Sequence, residues 1–261
     1  MARQKRQPIS RRNSLRRELT LRGGATVEEL CAALGASPAT IRRDLVVLEE
    51  EGVIERAYGG ATIRSLRQAE EDLAIRESQD VLAKRAIAAT AMQFLKPRGT
   101  MFLNDGSTVT ILAQQIAASD LELFVVTPAV NVANILAVNP KITVCLLGGY
   151  VRRTSLATGG PFTESMLDMI SADLAILSCD GFSARDGMCY HHAEDAAIAK
   201  KMTDRASESI AIVTGAKFER RARISGVAPS RLSAIVTENS RHPTALRLAQ
   251  SNIRIVEAKA A

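Results

Sequence analysis

Two adjacent arginines, Arg42 and Arg43, stand in the middle of a segment whose apolar spacing is that of a short helix. At about 100° per residue, Ile41, Leu45 and Leu48 fall within about 60° of one another and predict one buried face. Arg43 then lies on the opposite side of the helix, and Arg42 lies on its flank. Since a guanidinium can donate two hydrogen bonds to a guanine or bind a phosphate, this pair predicts contact with nucleic acid.

The residues before these arginines predict two helices joined by a tight turn. Thr26 followed by Glu29 is a capping box that begins one helix, and a glycine soon ends it. Ser37 is a good N-cap and Pro38 a good first residue, so a second helix begins only a few residues later. A helix-turn-helix of this kind, expected at about residues 27–50, can place its second helix in the major groove of DNA.

The exposed side of the second helix carries the residues that we expect to read DNA. Ala39, Thr40 and Arg43 lie opposite the apolar stripe, toward base edges, and Arg42 is suited to a phosphate. Asp44, on the other flank, is expected to orient an arginine rather than to touch DNA. An isolated Arg-Arg pair is ordinarily a solvated helix face, so the prediction depends on the whole pattern of caps, turn and stripe.

A short hairpin is predicted directly after this helix. The segment "VIERAYGGATIR", residues 53–64, contains two β-prone runs around a Gly-Gly pair, with Arg56 and Arg64 at its flanks. These arginines suit the DNA backbone or a minor groove. An earlier short helix with Leu15 and Leu19 four residues apart completes a winged helix-turn-helix domain over residues 1–64.

Positive charge is concentrated at the N-terminal end of the chain. Residues 1–22 hold eight Lys or Arg against one acid, Glu18, whereas the remaining 239 residues hold 26 basic and 27 acidic residues. The net charge of these two parts is therefore +7 and −1. A basic arm on a nearly neutral body indicates a polyanionic partner at that end only, although a solubilising tail would have the same composition.

The rest of the chain alternates between apolar runs and helical segments, after a polar linker and leading helix at residues 65–80. Candidate helices occupy residues 108–118, 130–138 and 194–206. Candidate strands occupy residues 100–104, 123–127, 142–147, 173–178, 209–214 and 232–237. Continuous apolar strands joined by helices predict an α/β domain, residues 81–261, with a mostly parallel sheet covered on both faces.

Polar and glycine-containing loops follow several of these strands, and ligands of such sheets bind beyond the carboxyl ends of the strands. In "NDGST" the backbone N–H groups of Gly106, Ser107 and Thr108 open a helix and suit a phosphate or carboxylate. "LLGGYVRR" adds two glycines for close approach and Arg152 as an anion partner, and "CDGF" and "TGAKF" end two further strands. Each loop alone is ordinary turn chemistry, but together they predict one pocket.

The segment "SPATIRRDLVVLEEEGVIERAYGGA" resembles the signature of the DeoR family of bacterial transcription regulators. The family pattern is a Ser, Thr, Ile, Arg, Arg, Asp, Leu recognition helix followed by an Arg, x, His, Gly, Gly, Ala wing. Tyr58 replaces the usual histidine and can still reach a phosphate. The predicted DNA-binding residues are Ser37, Ala39, Thr40, Arg42, Arg43, Arg56 and Tyr58.

The resemblance extends to the second half and implies a sensor domain similar to the ribose-phosphate isomerase and CoA-transferase fold. Such domains usually sense a phosphorylated sugar or a related intermediate. Asn104, Pro128 and Thr214 depart from the family's Asp, Asn and Asp, so we expect a different effector or a weak effector response. The predicted effector-binding residues are Asn104, Gly106, Ser107, Thr108, Thr127, Gly148, Gly149, Arg152, Asp180, Gly181 and Lys217.

Two classes of function fit these patterns. The first is a sequence-specific regulator, expected to be a repressor of a carbohydrate-catabolism operon, that binds double-stranded operator DNA as at least a homodimer and responds to an effector. The alternative is a sugar-phosphate isomerase or CoA-transferase-like enzyme with a DNA-binding appendage. Isomerisation requires a carboxylate base; Asp105, Asp180 and Glu194 are candidates, but the replaced acids at 104 and 214 argue against it.

We expect no cofactor and no metal. The four cysteines are far apart without a CxxC pair, and adjacent His191 and His192 near Cys189 are more typical of a polar loop than of a metal site. No apolar run approaches the roughly 18 residues of a membrane span, and the basic start leads into polar residues instead of a signal-peptide core. These observations predict a cytoplasmic protein without a membrane partner.

Overall fold

A computed structural model describes residues 8–22, 24–50, 54–57, 59–63, 73–220 and 222–259. The chain divides into two compact units, Met1–Arg67 and Gln68–Ala261. Each unit has its own hydrophobic core. The described parts of the segment predicted as linker and leading helix, residues 73–80, belong to the second unit.

The first unit contains helices and short strands in the order of a winged helix-turn-helix. Its elements are α1 (Pro8–Arg22), β1 (Gly24–Thr26), α2 (Val27–Leu34), α3 (Pro38–Glu50), β2 (Ile54–Ala57) and β3 (Gly60–Ile63). The three strands form an antiparallel sheet in the order β1-β3-β2. The hairpin of β2 and β3 is the predicted wing, and β1 adds a strand that the sequence pattern does not reveal.

The boundaries of α2 and α3 follow from local hydrogen bonds. The Thr26 hydroxyl accepts from the backbone N–H of Glu29, and the Glu29 carboxylate accepts from the N–H of Thr26, so the predicted capping box is present. Gly35 ends α2 with φ 63°, a left-handed conformation that glycine adopts without strain. The Ser37 hydroxyl then accepts from the N–H of Thr40 at 3.4 Å and begins α3.

The core of the first unit is built from apolar residues at helical spacing. The predicted stripe of α3 is buried, with Ile41, Leu45 and Leu48 each at most 3% exposed. They pack against the rest of a cluster formed by Leu15, Leu19, Val27, Leu30, Ile54 and Ala61. Burial of this stripe turns the opposite side of α3 to solvent.

The second unit is an α/β domain. Its helices are α4 (Leu73–Ser78), α5 (Val81–Ala91), α6 (Ser107–Ala117), α7 (Val130–Leu136), α8 (Pro161–Asp168), α9 (Ala193–Arg205) and α10 (Pro243–Gln250). Its strands are β4 (Thr100–Leu103), β5 (Leu123–Thr127), β6 (Ile142–Leu146), β7 (Tyr150–Arg152), β8 (Ala157–Gly159), β9 (Ala172–Leu177), β10 (Gly181–Ser183), β11 (Gly187–Tyr190), β12 (Ala206–Ile212), β13 (Ile224–Val227), β14 (Ala234–Thr237) and β15 (Arg254–Glu257).

A seven-stranded parallel sheet lies at the centre of this unit, in the order β15-β14-β12-β9-β4-β5-β6. One face packs against α5, α6 and α7, and the other against α8, α9 and α10. Alternate strand residues serve the two faces: Met101 and Leu103 belong to the first core cluster, whereas Phe102 belongs to the second. The predicted class, a mostly parallel sheet covered on both faces, is confirmed.

The structure also contains elements that the sequence pattern does not reveal. They are the edge strand β15, the hairpin of β7 and β8, and a three-stranded antiparallel sheet in the order β10-β11-β13. Strands of three or four residues are too short to establish a period, and β15 is exposed at both ends. Strand β12 begins three residues before the predicted start at 209 because its first residues are partly or fully exposed.

Candidate nucleic-acid interface and ligand cleft

The exposed face of α3 presents the two arginines to solvent. Ala39, Arg42 and Arg43 are exposed, as is Ser37 just before the helix. Thr40 is half-buried, and its hydroxyl lies 2.9 Å from that of Ser37, so the two hydroxyls form a pair at the helix start. This surface has the donors needed for base edges and phosphates. Its role in DNA recognition stays a prediction at the level of individual residues.

Asp44 pairs with an arginine, as its flank position predicts. Its carboxylate accepts hydrogen bonds from Nε and Nη2 of Arg11, a residue of α1, at 2.5 and 3.2 Å. Asp44 is 6% exposed. Its hydrogen bond and its charge raise the pKa of the Arg11 guanidinium above the usual value, although burial alone would lower that pKa. The pair joins α1 to the recognition helix next to Arg43.

Val46 also belongs to the exposed face of α3. It lies one turn after Arg42 and Arg43 and is 37% exposed, whereas its neighbour Leu45 is buried. The sequence interpretation did not assign it a role. Its spacing does indicate one, because a residue three positions after Arg43 lies on the same face of a helix. The side chain of Arg56 and all of Tyr58 lie outside the described residues.

The second candidate site is a cleft at the carboxyl edge of the parallel sheet. It is a narrow cleft, with about 10 Å³ open to a water-sized sphere, and it is lined by residues that include Arg76, Asp105, Gly106, Ser178 and Asp180. Gly106 and Asp180 were predicted, whereas Arg76 comes from α4, within the segment interpreted as linker. The cleft therefore combines a strand-end glycine loop with a cation from the start of the unit.

The start of α6 provides hydrogen-bond donors at this edge. Gly106, with φ 123°, precedes Ser107, the first residue of α6, and the first N–H groups of a helix have no partner within the helix. Ser107 and Thr108 are 3% and 0% exposed. The Thr108 hydroxyl oxygen is buried and finds no hydrogen-bond partner among the described residues. A ligand oxygen would satisfy these groups, as at other helix N-termini that bind anions.

Ser178, which follows β9, connects several of these residues. The Asn104 carboxamide pairs with its backbone: Nδ2 donates to the Ser178 carbonyl and Oδ1 accepts from the Ser178 N–H, both at 2.8 Å. The Tyr190 hydroxyl donates to the same carbonyl at 3.1 Å, and Lys217 Nζ donates to the Ser178 hydroxyl at 3.0 Å. Asn104 is 2% exposed and its amide joins β4 to β9, so a contact with the effector stays a prediction.

Burial shifts the pKa values of two groups next to Ser178. Burial lowers the pKa of Lys217 from its usual value. Cys179 and Asp180 raise this pKa in part, whereas the charges of Arg76 and Arg220 lower it. Burial also raises the pKa of the Cys179 thiol to about 12. Cys179 is therefore a neutral thiol at physiological pH, and burial disfavours the charged form of Lys217.

Two acids of the cleft face arginines. Asp180 accepts from the N–H of His191 at 2.9 Å, and its carboxylate lies 3.9 Å from the Arg76 guanidinium. Asp195, in the first turn of α9, accepts from Arg152 Nη2 at 2.6 Å. Arg152, a predicted anion partner, thus contacts a carboxylate that lines the cleft.

A buried lysine holds the helix that carries Arg76. Lys84, 3% exposed, donates through Nζ to the carbonyls of Arg76 and Gln79 at the end of α4. The N–H of Leu73 at the other end of α4 donates to the carbonyl of Thr154 at 2.8 Å. Both ends of α4 are therefore attached to the body of the unit, and Arg76 is directed to the cleft.

The other predicted effector residues are engaged in packing near this edge. The Thr127 hydroxyl accepts from the N–H of Ala129, and Gly148 accepts through its carbonyl from the Thr163 hydroxyl at 2.6 Å. Gly149, with φ 145°, and Gly181 make close backbone approaches: an added Cβ would stand 2.3 Å from the Thr163 hydroxyl and 2.0 Å from the Arg220 carbonyl, respectively. Their effector contacts stay predictions.

Both units match known domain families. Residues 11–67 match the DeoR-like helix-turn-helix domain, and residues 79–239 match the DeoR C-terminal sensor domain. The chain belongs to the DeoR family. It is a DNA-binding transcription regulator, and the winged helix-turn-helix and α/β sensor domain predicted from the sequence are confirmed.

DeoR-family relatives align along most of their length. The chain is 28% identical to the uncharacterized HTH-type transcriptional regulator YulB of Bacillus subtilis, over 88% of each chain. It is 27% identical to a putative aga operon transcriptional repressor of Escherichia coli O157:H7, over 87% of this chain and 85% of that one. Among solved structures, ribose 5-phosphate isomerase A of Neisseria gonorrhoeae shares 17% identity over 57% of each chain, with a TM-score of 0.40.

Two further observations concern the residues of this DeoR-family chain that the structure describes. No group of three or more His, Cys, Asp or Glu side chains in that part is arranged to hold a metal ion. No described helix has the length and apolar character needed to cross a membrane.

Proposed function

We propose that this DeoR-family regulator represses an operon for carbohydrate catabolism and that a phosphorylated sugar or related metabolite releases it from its operator. Relatives named as a repressor of the aga operon and as an activator of the L-fucose operon support a role in sugar metabolism. The effector would bind at the carboxyl edge of the seven-stranded sheet. As a reader of chromosomal DNA, the protein would act in the cytoplasm as at least a homodimer on repeated half-sites.

One geometric relationship carries the effector proposal. The Ser178 hydroxyl has Lys217 Nζ at 3.0 Å and lies 3.4 Å from the position of a Cβ added to Gly106. Lys217 Nζ and the residue that precedes the start of α6 therefore both lie against the Ser178 side chain. That combination suits a phosphate, because both the helix N-terminus and the lysine favour a negative charge.

The acids around the cleft suit the rest of such a ligand. Asp105, Asp180 and Asp195 line it, and carboxylates accept hydrogen bonds from sugar hydroxyls. Arg76 would bind either the phosphate or a carboxylate of the ligand. Since Arg76 faces Asp180 at 3.9 Å, a phosphate at this place would compete with that carboxylate for the guanidinium and shift α4.

The relatives are transcription regulators, which supports a non-enzymatic role for this chain. Residue 104, where the family pattern has Asp, carries a carboxamide whose two polar atoms are both bonded to the backbone of Ser178. Thr214 is 2% exposed and offers a hydroxyl instead of a carboxylate. Neither residue can act as a general base for proton transfer at carbon.

The experiment is fluorescence anisotropy of duplex DNA from the gene's own upstream region, at fixed salt, with a panel of phosphorylated sugars and polyols. We expect tight, competitor-resistant binding that one compound releases. Lys217→Gln should bind DNA normally and resist release, whereas Lys141→Gln, an exposed lysine just before β6, should behave as the wild type. Release of Lys217→Gln at the same compound concentration would refute the proposed site.

A further inference from the structure

A second cleft lies on the outer face of the small sheet formed by β10, β11 and β13. One face of this sheet packs into the core through Phe182, Met188 and Tyr190. Because strand residues alternate, Ser183, Cys189 and Ser225 point to the other side, and all three line the cleft. Its floor therefore consists of small side chains, which leave a cleft of about 480 Å³ above them.

Arginines surround this floor. Arg185 lies in the hairpin between β10 and β11, Arg220 and Arg223 lie in the segment that leads to β13, and Arg247 lies on α10. These elements are far apart in the sequence and meet only in the fold. The sequence outside residues 1–22 has a net charge of −1, so a cluster of four arginines here is a local excess.

The two acids of the cleft do not cancel this charge. Glu219 accepts a hydrogen bond from the Thr244 hydroxyl at 2.5 Å, and with Asp186 it is one of two acids against four arginines. Asp186 lies 3.8 Å from Arg185, and both side chains are largely exposed, so that ion pair is weak. The cleft therefore keeps an excess of positive charge above a floor with two hydroxyl groups.

We propose that this arginine cleft is a second anion site, separate from the effector cleft, and that it binds the phosphate group of a small molecule. Each guanidinium group can donate two hydrogen bonds to phosphate oxygens. The Ser225 hydroxyl would add a neutral hydrogen bond, and the Ser183 hydroxyl, which accepts from the Asp186 N–H at 2.9 Å, would turn its proton from the Asp186 carboxylate to the phosphate. The recessed floor favours a small ligand over a DNA backbone, which lies across a protein surface rather than inside a cleft. This inference does not depend on the identity of the effector.

The two anion sites share one short turn. Lys217 ends the 3-10 turn Gly215–Lys217 and faces Ser178, and the N–H of Arg220 donates to the Lys217 carbonyl at 3.2 Å. Glu219, between them, has φ 58° and donates through its N–H to Phe182 of the small sheet at 2.8 Å. A phosphate in the arginine cleft would therefore act on the segment that also positions Lys217.

The test is isothermal titration of the full-length protein with inorganic phosphate in a phosphate-free buffer. Lys217→Gln serves as the background because it removes the lysine next to the effector cleft. It is compared with the triple variant Lys217→Gln/Arg220→Gln/Arg247→Gln. We expect saturable binding to Lys217→Gln that becomes about tenfold weaker or undetectable in the triple variant, because two charge-assisted contacts are lost. Arg241→Gln in the Lys217→Gln background is the matched control, since Arg241 is exposed near α10 but does not line the cleft.

Three results would overturn the proposal. The first is the absence of phosphate binding to Lys217→Gln, which would leave only the effector cleft. The second is an equal loss in the Arg241→Gln control, which would indicate bulk charge. The third is a lower salt dependence of duplex binding in Arg220→Gln/Arg247→Gln with unchanged phosphate binding, which would assign these arginines to DNA.

Discussion

Arg11 on α1 holds Asp44 on α3 through two hydrogen bonds, at 2.5 and 3.2 Å, and Asp44 directly follows Arg43 in the recognition helix. One cation of the basic N-terminal arm is therefore used inside the protein. It fixes the rotation of α3 about its axis, because Asp44 lies between the buried stripe and the exposed face. DNA recognition depends on that rotation, since it sets which side chains face the groove.

Replacing Asp44 by Asn should destabilise the first unit by about 1–3 kcal/mol, because Arg11 loses a charged partner in a largely buried place. Urea unfolding followed by circular dichroism measures the change. Glu28→Gln, which removes an exposed carboxylate from α2, serves as the control and should change stability little. Equal effects of the two substitutions would contradict a specific role for the Arg11–Asp44 pair.

Arg42 and Arg43 should contribute differently to DNA binding. Arg43→Ala should cost about 1–3 kcal/mol at the cognate operator and relax sequence preference, whereas Arg42→Ala should weaken all sequences alike. Anisotropy titrations on operator and random duplexes at several salt concentrations separate the two effects. Equal losses from both variants on both duplexes would rule out this division.

Val46 should contact the 5-methyl group of a thymine, since it is a large apolar residue on the exposed face of α3, 37% exposed. Replacing single thymines of the operator by uracil removes only that methyl group. At the one thymine per half-site that Val46 contacts, this replacement should weaken operator binding by the wild type several-fold. The same replacement should not weaken operator binding by Val46→Ala any further. Additive losses at every thymine would show that Val46 does not contact a methyl group.

Effector affinity should fall as the pH rises through the lowered pKa of Lys217, below its usual 10.5, because the ammonium loses its charge there. The folded protein binds its proton less tightly than the unfolded chain, so the stability of the sensor domain should rise over the same interval. Lys217→Arg stays charged and should keep its affinity in this range. Release midpoints measured from pH 7 to 10 for both proteins test this, and parallel curves would contradict it.

The neighbouring glycines Gly148 and Gly149 should differ in tolerance to alanine. At Gly149, φ is 145° and an added Cβ would lie 2.3 Å from the Thr163 hydroxyl, whereas at Gly148 the nearest atom is Met166 Sδ at 3.5 Å. Gly149→Ala should cost about 2–4 kcal/mol and Gly148→Ala much less. Thermal unfolding of the two variants gives the comparison, and equal melting temperatures would be inconsistent with it.

Sequence reasoning located the elements whose apolar pattern is strong. The stripe of Ile41, Leu45 and Leu48 predicted the orientation of α3, and six continuous apolar runs predicted six of the seven strands of the parallel sheet. The missing strand, β15, has exposed ends and only two half-buried apolar residues, Ile255 and Val256. A pattern that weak cannot be distinguished from a surface loop.

The ligand cleft was predictable only in part. Loops after strands predicted the edge at which Gly106 and Asp180 meet, because parallel strands end on one side of a sheet. No spacing rule connects Arg76 with that edge, since α4 lies in a polar segment with no apolar period. Likewise, no spacing rule predicts that the amide of Asn104 bonds to Ser178, which is 74 residues later in the chain, and its contact with the effector stays a prediction.

The pairing of β4 with β9 at the centre of the sensor sheet also has a kinetic consequence. These neighbours are joined across about the same 74-residue separation as the Asn104–Ser178 bonds, so the middle of the sheet forms only after a long loop has closed. The strand pairings of the first unit are closer in the sequence, because β2 and β3 form a hairpin and Thr26 of β1 pairs with Gly60 of β3. During synthesis, the DNA-reading unit should therefore fold early and quickly, and the sensor should complete its sheet later and more slowly.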